Sequence, residues 1–451
     1  MSADVIATGS APRRSRAPVL GNLGARIAAL AALTLSTFLV DRINGSANAA
    51  AVGVFVLLRV LPWITGMLLS GGIYGAAPFF LGGERAREPR FRATIFAIAV
   101  VSGCLGAVGW LLISPLVRHF FLPSLSVGLV ALAAITVFTQ VLESTSKACS
   151  QGFSDLVGAN RIIVLEELAF IPAFVVFHLA GMGVFLAIIL ALATGDLITL
   201  SSAWTRLIRK GFFHETGRPT IALVREVLAF GVRAQVSSII LLLNARLDFA
   251  IVGALLDTRS LGIYAIASRF AELLRLPSLA INYVLYPRFA HGEPRGSLVI
   301  AREWIRKVGW IPLVSIVPLA VIARWLLPAV YGQAFRGAVA PSWVLLVGLA
   351  GSTVSAIVSA FLYGIGRPGL NSFALGGGLV MTAILDITLI PRFGIMGAAI
   401  ASAVAYSTAT VVLLVCMRWV AARPGSEPDA PPGNLPVDDL IDTTELMEVE
   451  G

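Results

Sequence analysis

The segment LLLNARLDFAIVG, residues 241–253, decides the fold class, because it is apolar enough for a lipid bilayer and still contains Arg246 and Asp248. On an α-helix, residues two positions apart differ by about 200° around the axis, so these two side chains point to nearly opposite sides. Asp248 shares its face with Asn244. We therefore expect a membrane helix in which Arg246 faces an internal cavity, while Asn244 and Asp248 hold the helix against its neighbours.

The whole chain has the composition of a membrane protein. Its 451 residues are 57% hydrophobic and only 13% charged, with a mean hydropathy of +0.87. A helix needs about 20 apolar residues to cross a bilayer core of about 30 Å, and such runs recur along the chain. We predict an all-α integral membrane protein with about twelve transmembrane helices. They lie near residues 23–41, 51–81, 91–117, 123–147, 160–180, 182–208, 227–253, 261–287, 305–329, 338–364, 369–391 and 394–420.

The basic residues indicate how these helices are oriented. Lysine and arginine concentrate in the loops at 84–92, 206–225 and 287–307. The positive-inside rule places these loops, and with them both termini, in the cytoplasm. The formal net charge of +9 therefore reports topology, and we expect no nucleic-acid partner.

Several chemistries find no support in the sequence. The three cysteines and four histidines show no metal-ligand spacing, and no G-x-x-x-x-G-K-[ST] motif occurs. The external loops are too short for a soluble catalytic domain. We therefore expect no catalytic residue, no metal and no cofactor, so the chain is not expected to be an enzyme.

Weak internal similarity indicates two related halves. GVFVLLR (53–59) resembles GIYAIASR (262–269), Pro115 corresponds to Pro328, and GMGV (181–184) corresponds to GIMGA (394–398). The matches keep chain order and a nearly constant offset, so we predict two pseudo-twofold-related six-helix bundles around a central cavity. The predicted divisions are a basic cytoplasmic segment (1–22), the N-terminal bundle (23–208), a basic linker (209–226), the C-terminal bundle (227–420) and an acidic, disordered cytoplasmic tail (421–451).

Two long segments resemble a known family. NARLDFAIVGALLDTRSLGIYAIASRFAELLRLPSLAINYVLYPRFA (244–290) and FLYGIGRPGLNSFALGGGLVMTAILDITLIPRFGIMGAAIASAVAY (361–406) look like the opening and closing segments of the second half of polysaccharide flippases. These belong to the multidrug/oligosaccharidyl-lipid/polysaccharide exporter superfamily. The resemblance implies a secondary transporter that flips a polyprenyl-diphosphate-linked oligosaccharide from the inner to the outer leaflet of the bacterial inner membrane by alternating access. It also implies a role in surface polysaccharide biosynthesis, such as O-antigen (lipopolysaccharide), capsule or exopolysaccharide. The partners to expect are membrane lipid, a polysaccharide polymerase and chain-length machinery.

Charges deep in the predicted helices mark the candidate site, because an ionisable residue in lipid costs a few kcal/mol unless it faces the bundle interior. Arg59, Arg246 and Arg269 lie at a similar depth, on the order of 10 to 15 Å from the outer ends of their helices. A guanidinium group pairs bidentately with phosphate oxygens. We predict that these three residues and Arg275 bind the diphosphate, and that Glu272 neutralises them while the cavity is empty.

The resemblance adds to this prediction and also limits it. Arg59 and Arg269 look like matches to the arginines that line the central cavity on the second and eighth helices of lipid-linked oligosaccharide flippases. Span one, however, has no arginine beyond Arg26. Lipid II flippases resemble one another in carrying cavity arginines there, so the resemblance to that branch is weaker.

Other intramembrane carboxylates have two open interpretations. Asp248, Glu143, Asp196 and Asp386 either line the cavity or belong to buried pairs that fix helix packing, and we favour the pairs for Glu143, Asp196 and Asp386.

Glu166 and Glu167 lie a few residues from cytoplasmic Arg161. For these two glutamates we expect a salt bridge at the membrane interface rather than a role in transport.

Three alternative functions remain open at this stage. One is a lipid II flippase, and another is a cation-coupled multidrug exporter of the same superfamily. The multidrug exporter needs a carboxylate-rich site in the first half. The carboxylates available there are scattered in sequence, and they are Asp41, Glu143, Glu166, Glu167 and Asp196. A membrane-embedded glycan polymerase is the third alternative, and it would require a catalytic loop or a His/Asp cluster.

Overall fold

The structure is a computed structural model that describes residues 17–43, 48–82, 89–153, 155–214, 217–276, 278, 285, 289 and 294–422. The predicted N-terminal segment (1–22) and C-terminal tail (421–451) lie mostly outside these ranges, so the expectations for them stay predictions.

The described residues of the first half form helices that follow the predicted spans, several of which are built from two consecutive helices. They are α1 (Ala17–Arg42), α2 (Ala49–Leu69), α3 (Ile73–Gly82), α4 (Pro89–Phe121), α5 (Val127–Leu132), α6 (Ala134–Gly152), α7 (Leu156–Leu168), α8 (Phe170–Leu179) and α9 (Val184–Arg209).

The second half is built in the same way, with three short 3-10 turns at Leu273–Arg275, Gln333–Ala338 and Leu349–Gly351. Its α-helices are α10 (Ile221–Leu255), α11 (Thr258–Glu272), α12 (Pro294–Val308), α13 (Ile311–Tyr331), α14 (Val339–Gly348), α15 (Ser352–Gly364), α16 (Pro368–Phe393) and α17 (Ile395–Ala422).

Length and hydropathy allow 11 segments of the described chain to cross a membrane. About twelve spans were predicted, and the one near 261–287 is not among these 11. Its helix, α11, has only 15 residues, and most of the residues from 277 to 287 are not described. No strand occurs in the described ranges. The prediction of an all-α integral membrane protein is confirmed.

The second predicted span is broken where the sequence reads SGG. Gly71 and Gly72 have φ values of +63° and +73°, a left-handed conformation that favours glycine and interrupts helical hydrogen bonding. The hydroxyl of Ser70 donates to the carbonyl of Met67, which satisfies one carbonyl at the end of α2. The break turns the chain from α2 into α3, a change that hydropathy alone does not reveal.

Matching caps begin α2 and α11. The side chain of Asn48 accepts a hydrogen bond from the backbone N–H of Ala51 at 3.0 Å, and Asp257 does the same from Ser260 at 2.6 Å. Asp257 follows Asn48 by 209 residues, as Gly262 follows Gly53. The internal similarity therefore extends to the way in which these two helices start.

The two halves of the chain meet where α2 crosses α11. A Cβ atom on Gly53 would collide with the backbone of Thr258, and one on Gly262 would collide with the carbonyl of Ala49. Only glycine permits backbones to approach this closely. The crossing fixes the position of the residues that follow on both helices, including Arg59 and Arg269.

A second contact between the halves lies further along the chain, where α3 begins. A Cβ atom on Gly72 would collide with the backbone of Gly231 on α10. The side-chain amide of Gln235 donates to the carbonyls of Met67 and Leu68. These two contacts lie on either side of Arg59 in sequence, so α2 is held against the second half on both sides of this arginine.

A continuous apolar core runs through both halves and includes Phe55, Phe170, Phe249 and Tyr264. The rings of Phe55 and Phe170 lie 4.8 Å apart between centroids. Other apolar side chains face outward, including Leu112 on α4 at 76% exposed. An apolar outer surface is what a bilayer requires, and the same surface would be costly in water.

Candidate functional site: a cluster of arginines

Arg59 on α2 forms a bidentate ion pair with Glu167 on α7. Its Nη1 and Nη2 atoms donate to Oε2 and Oε1 of Glu167, both at 2.6 Å. The guanidinium also lies 5.6 Å from the centre of the Phe55 ring. Both charged side chains are largely buried. The carboxylate oxygens of Glu167 therefore accept the hydrogen bonds that Arg59 would otherwise donate to water.

Arg246 on α10 forms a looser pair with Glu272 on α11. Its Nη1 atom donates to Oε1 of Glu272 at 3.1 Å. The two side chains are 28% and 30% exposed, so they border space that the protein does not fill. Arg246 is therefore partly open to that space, and its role in binding a ligand stays a prediction.

Arg269 on α11 lies between these two pairs. It interacts electrostatically with both Arg59 and Arg246, and its Nη1 donates to the hydroxyl of Thr37 on α1. Within the described ranges, no carboxylate lies within ion-pair distance of Arg269. The structure therefore brings together the three arginines predicted to share one level, and it leaves the central one without a carboxylate partner.

Arg275 lies one turn beyond Glu272, in the 3-10 turn that follows α11, and its side chain is exposed. It interacts electrostatically with Glu272 and with Tyr406 on α17. Arg269 and Arg246 also act on Glu272, so this glutamate faces three arginines. The neutralising role expected for Glu272 stays a prediction.

Carboxylates of the first half gather beside Arg59. Glu143 on α6 interacts electrostatically with Glu166 on α7 and with Asp196 on α9. Each of these three carboxylates also interacts electrostatically with the guanidinium of Arg59. Asp196 accepts a hydrogen bond from the hydroxyl of Thr139 at 3.0 Å.

Within the described residues, neither Glu143 nor Asp196 forms an ion pair. Both carboxylates were expected in buried pairs that fix helix packing, and the buried contact of Asp196 is the hydrogen bond from Thr139, which joins α6 to α9. Their helices, α6 and α9, bring both carboxylates within electrostatic range of the guanidinium of Arg59, and Lys147 also acts on Glu143.

The salt bridge expected for Glu167 is present, and its partner is Arg59 on α2. Arg161, its predicted interfacial neighbour, is exposed, whereas Glu167 turns inward to Arg59. The carboxylates that looked scattered in sequence are therefore close together in the fold. An acidic pair inside a predicted membrane span was the signal available, because such residues face the bundle interior by default.

Asp248 and Asn244 hold α10 to neighbouring helices. Asp248 is buried, and its Oδ2 accepts a hydrogen bond from the hydroxyl of Tyr264 on α11 at 2.7 Å. The same hydroxyl lies 3.2 Å from Oγ of Ser402 on α17. The amide of Asn244 donates to the carbonyl of Leu375 on α16 at 2.8 Å. One face of α10 thus makes packing contacts while Arg246 points elsewhere.

Asp386 on α16 is fully buried at 0% exposure. Neither of its carboxylate oxygens has a hydrogen-bond partner among the described residues, and it interacts with the charge of Asp248. No ion pair holds this carboxylate in the described part of the chain. The buried pair expected for Asp386 is therefore not found among the described residues.

An ion-pair network outside the membrane-spanning segments positions α7. Asp155 accepts hydrogen bonds from Nε and Nη2 of Arg206 at 2.7 and 2.8 Å and pairs with Lys210 at 2.8 Å. It also accepts the backbone N–H of Gly158, which caps α7. Burial alone would raise the pKa of Asp155, but the hydrogen bonds from Arg206 and Lys210 outweigh burial and hold that pKa well below its usual range. The network ties α7, which carries Glu167, to the end of α9.

Solved structures show which other proteins have this fold. The chain is similar to an inward-facing multidrug resistance MATE family transporter of the MOP superfamily, with a TM-score of 0.73 and 15% identity over 90% of this chain and 100% of that one. It is also similar to the lipid II flippase MurJ in an inward closed conformation, with a TM-score of 0.71 and 13% identity over 96% and 97% of the two chains. The chain shares its fold with both of these proteins.

The family follows from the sequence match. Residues 53–340 match the family described as "Polysaccharide biosynthesis protein", and the chain belongs to that family. It is also 26% identical over 234 residues to the "Probable low-salt glycan biosynthesis flippase Agl15" of Haloferax volcanii. That match covers 50% of this chain and spans 48% of the relative's length.

Proposed function

We propose that this protein is a flippase that moves a polyprenyl-diphosphate-linked oligosaccharide from the inner to the outer leaflet of a bacterial cytoplasmic membrane. The main support is the arginine cluster, in which Arg269 lies between Arg59 and Arg246 without a carboxylate partner in the described residues. A diphosphate supplies the anionic partner that Arg269 lacks within ion-pair distance among the described residues. Membership of the polysaccharide biosynthesis protein family supports a glycan-bearing lipid as the substrate.

The protein's contribution is positioning and charge complementarity. Arg269 pairs with one phosphate, while Arg59 and Arg246 exchange their glutamates for phosphate oxygens. The sugars occupy the polar space beside Arg246 and Glu272, and the polyprenyl chain stays in lipid. Alternating access then carries the headgroup across, and the exported unit serves surface polysaccharide biosynthesis together with a polymerase and chain-length machinery.

A complementation assay in a strain that lacks the gene tests this proposal. We expect Arg269→Ala and Arg59→Ala to abolish surface polysaccharide and to accumulate lipid-linked repeat units that face the cytoplasm. Arg392→Ala, which removes an exposed arginine from α16, is the matched control and should restore export. Normal surface polymer with both cluster variants, at normal protein levels, would refute the arginine assignment.

A second candidate function is supported by the carboxylates Glu143, Glu166, Glu167 and Asp196 beside Arg59. A cation-coupled multidrug exporter would use such a group in the first half of the chain. Drug-resistance assays on an expressing strain separate the two functions. Resistance that depends on Asp196 and not on Arg269 would favour the exporter.

A further inference from the structure

The helices α12 and α13 together are longer than a bilayer is thick. The segment that contains them, Gly296–Tyr331, has 36 residues and would extend about 54 Å as a helix. α13 alone has 21 residues, which are enough to span a bilayer core of about 30 Å. α12 therefore lies beyond the hydrocarbon core, at the level of the lipid headgroups or in the water next to them.

Trp310 marks the point where the chain leaves the hydrocarbon core. It is 53% exposed, and its indole Nε1 donates to the carbonyl of Lys307 at 2.7 Å. Tryptophan is enriched where hydrocarbon meets headgroups, because its ring is apolar and its N–H is polar. The turn of helix before Trp310 therefore lies at headgroup level, about 5 to 6 Å further out.

The exposed face of α12 continues the lipid-facing surface of α13. The backbone N–H of Gly309 donates to the carbonyl of Ile305 at 2.9 Å, and that of Val314 donates to the carbonyl of Trp310 at 3.2 Å. Helical hydrogen bonds thus flank the junction, so one face carries through both helices. Steps of three or four residues follow this face along exposed side chains, which are Arg302, Arg306, Trp310, Val314, Val317 and Val321. A single surface therefore changes from apolar on α13 to basic on α12.

The opposite face of α12 is used by the protein itself. Ala301 is fully buried, and Leu298 and Ile305 pack with it in a cluster that includes Phe361 and Met417. The apolar face of α12 is thus held against α15 and α17 and is not free to insert into lipid. The charged face is the one left for a partner.

This charged face carries more cations than the protein balances. Lys307 pairs with Glu303 at 2.6 Å, and Glu303 also interacts electrostatically with Arg306. Within the ranges that the structure describes, no carboxylate forms an ion pair with Arg302 or Arg306. These two arginines are one helical turn apart, where like charges repel each other. An anion bound between them would offset that repulsion.

Other basic side chains near the membrane edge have partners within the protein. Arg206 and Lys210 share the carboxylate of Asp155, and Arg92 donates to the carbonyl of Gly211 at 3.2 Å. Arg302 and Arg306 instead point to the surroundings of the protein. The partner that they lack must therefore come from outside the chain's described helices.

We propose that Arg302 and Arg306, together with Lys307, bind the phosphate of an anionic phospholipid in the leaflet next to α12. The guanidinium groups pair with the phosphate oxygens, and the acyl chains lie along the exposed apolar side chains of α13. A zwitterionic lipid binds less well, because its own ammonium group cancels the charge of the phosphate. The site is built from other helices than the central arginine cluster, so it does not depend on the proposed function.

Native mass spectrometry of the full-length protein in a neutral detergent tests this proposal. Phosphatidylglycerol is titrated in, and the mass peaks give the binding constant of the first lipid; phosphatidylcholine with the same acyl chains is the neutral comparison. Each basic residue near a headgroup changes the binding of an anionic lipid about fivefold. We therefore expect Arg302→Gln with Arg306→Gln to weaken phosphatidylglycerol binding by at least about tenfold and to leave phosphatidylcholine binding unchanged.

Two further variants serve as controls. Arg209→Gln with Arg225→Gln removes the same charge from exposed positions on α9 and α10, on the side of the membrane predicted for α12, and should bind phosphatidylglycerol as the wild type does. Arg302→Lys with Arg306→Lys keeps the charge and should retain most of the preference for phosphatidylglycerol. This lysine variant guards against a folding defect in the glutamine variant.

Three outcomes would overturn the proposal. One is equal phosphatidylglycerol binding by wild type and the glutamine variant. Another is an equal loss in the control variant of α9 and α10, which would assign the preference to overall charge. The third is a wild type without preference for phosphatidylglycerol that binds a peptide with the sequence of residues 438–450, DDLIDTTELMEVE, while the glutamine variant does not. That result would assign the face to the acidic end of the chain itself.

Discussion

Gly53 and Gly262 meet where α2 crosses α11, and each faces the carbonyl of the residue four positions before the other. The two positions are also equivalent in the internal similarity of the sequence. The contact is therefore nearly symmetric, and it places backbone against backbone at the junction of the two halves. No side chain larger than a hydrogen atom has room at either of these two positions.

Gly262→Ala should accordingly destabilise the protein, because the added methyl group must separate α2 from α11. Overpacking of this kind costs about 1 to 3 kcal/mol. Gly376→Ala on α16 is the matched control, since a Cβ atom there meets nothing within 4 Å. Thermal unfolding in detergent should show a lower melting temperature for Gly262→Ala alone, and equal melting temperatures would contradict the close crossing.

The Arg59–Glu167 pair should respond asymmetrically to mutation. Arg59→Met leaves Glu167 beside other carboxylates and should cost about 3 to 5 kcal/mol, as expected for an uncompensated buried charge. Glu167→Gln should cost less, because Arg59 keeps the neighbouring acidic charges. Thermal unfolding of both single variants and the double variant measures the difference.

The double variant provides the internal control for this pair. Arg59→Met with Glu167→Gln should recover much of the stability that Arg59→Met loses, since it removes both charges. Additive losses in the double variant would show that the two residues are not energetically coupled.

Asp386 and Asp248 should differ in their contribution to stability. Asp386→Asn should leave the melting temperature unchanged or raise it, because its carboxylate has no hydrogen-bond partner in the described structure. Asp248→Ala removes the acceptor of the buried Tyr264 hydroxyl and should cost about 1 to 3 kcal/mol. A marked loss of stability in Asp386→Asn would mean that this carboxylate has a partner.

Acid should weaken the network around Asp155. Because its pKa is lower in the folded protein than the value of about 3.9 for an unfolded chain, its contribution to stability is complete above that value. The contribution is lost as the pH falls from about 4 towards the folded pKa. Melting temperatures measured between pH 7 and 3 should therefore fall more steeply for wild type than for Asp155→Asn. Parallel curves would contradict the assignment.

Sequence periodicity predicts two polar faces on α10. Arg246 and Asp248 were expected on opposite sides, and both contact α11, through Glu272 and Tyr264 respectively. Helical geometry alone carries that prediction, because it concerns residues within one turn of a helix. The apolar spans succeed for a related reason, since their length is set by the bilayer.

Partners across distant helices were beyond sequence analysis. Glu167 and Arg59 are 108 residues apart, and no local pattern shows that α7 faces α2. The same limitation hid the gathering of Glu143 and Asp196, which come from different helices. Unpaired buried carboxylates such as Asp386 are also missed, because composition suggests a partner for every intramembrane charge.

The crossing at Gly53 and Gly262 has a mechanical consequence. A tight point of contact between two rigid bodies acts as a pivot, and displacement grows with distance from it. At about 1.5 Å per helical residue, Arg59 lies about 9 Å along the chain from this point and Gly72 about 28 Å. A rotation of about 10° would shift the arginine level by about 1.5 Å and the Gly72 contact by about 5 Å. A rotation about this crossing would therefore move the arginines little, because they lie close to it. The second contact between the halves lies further away and would move more.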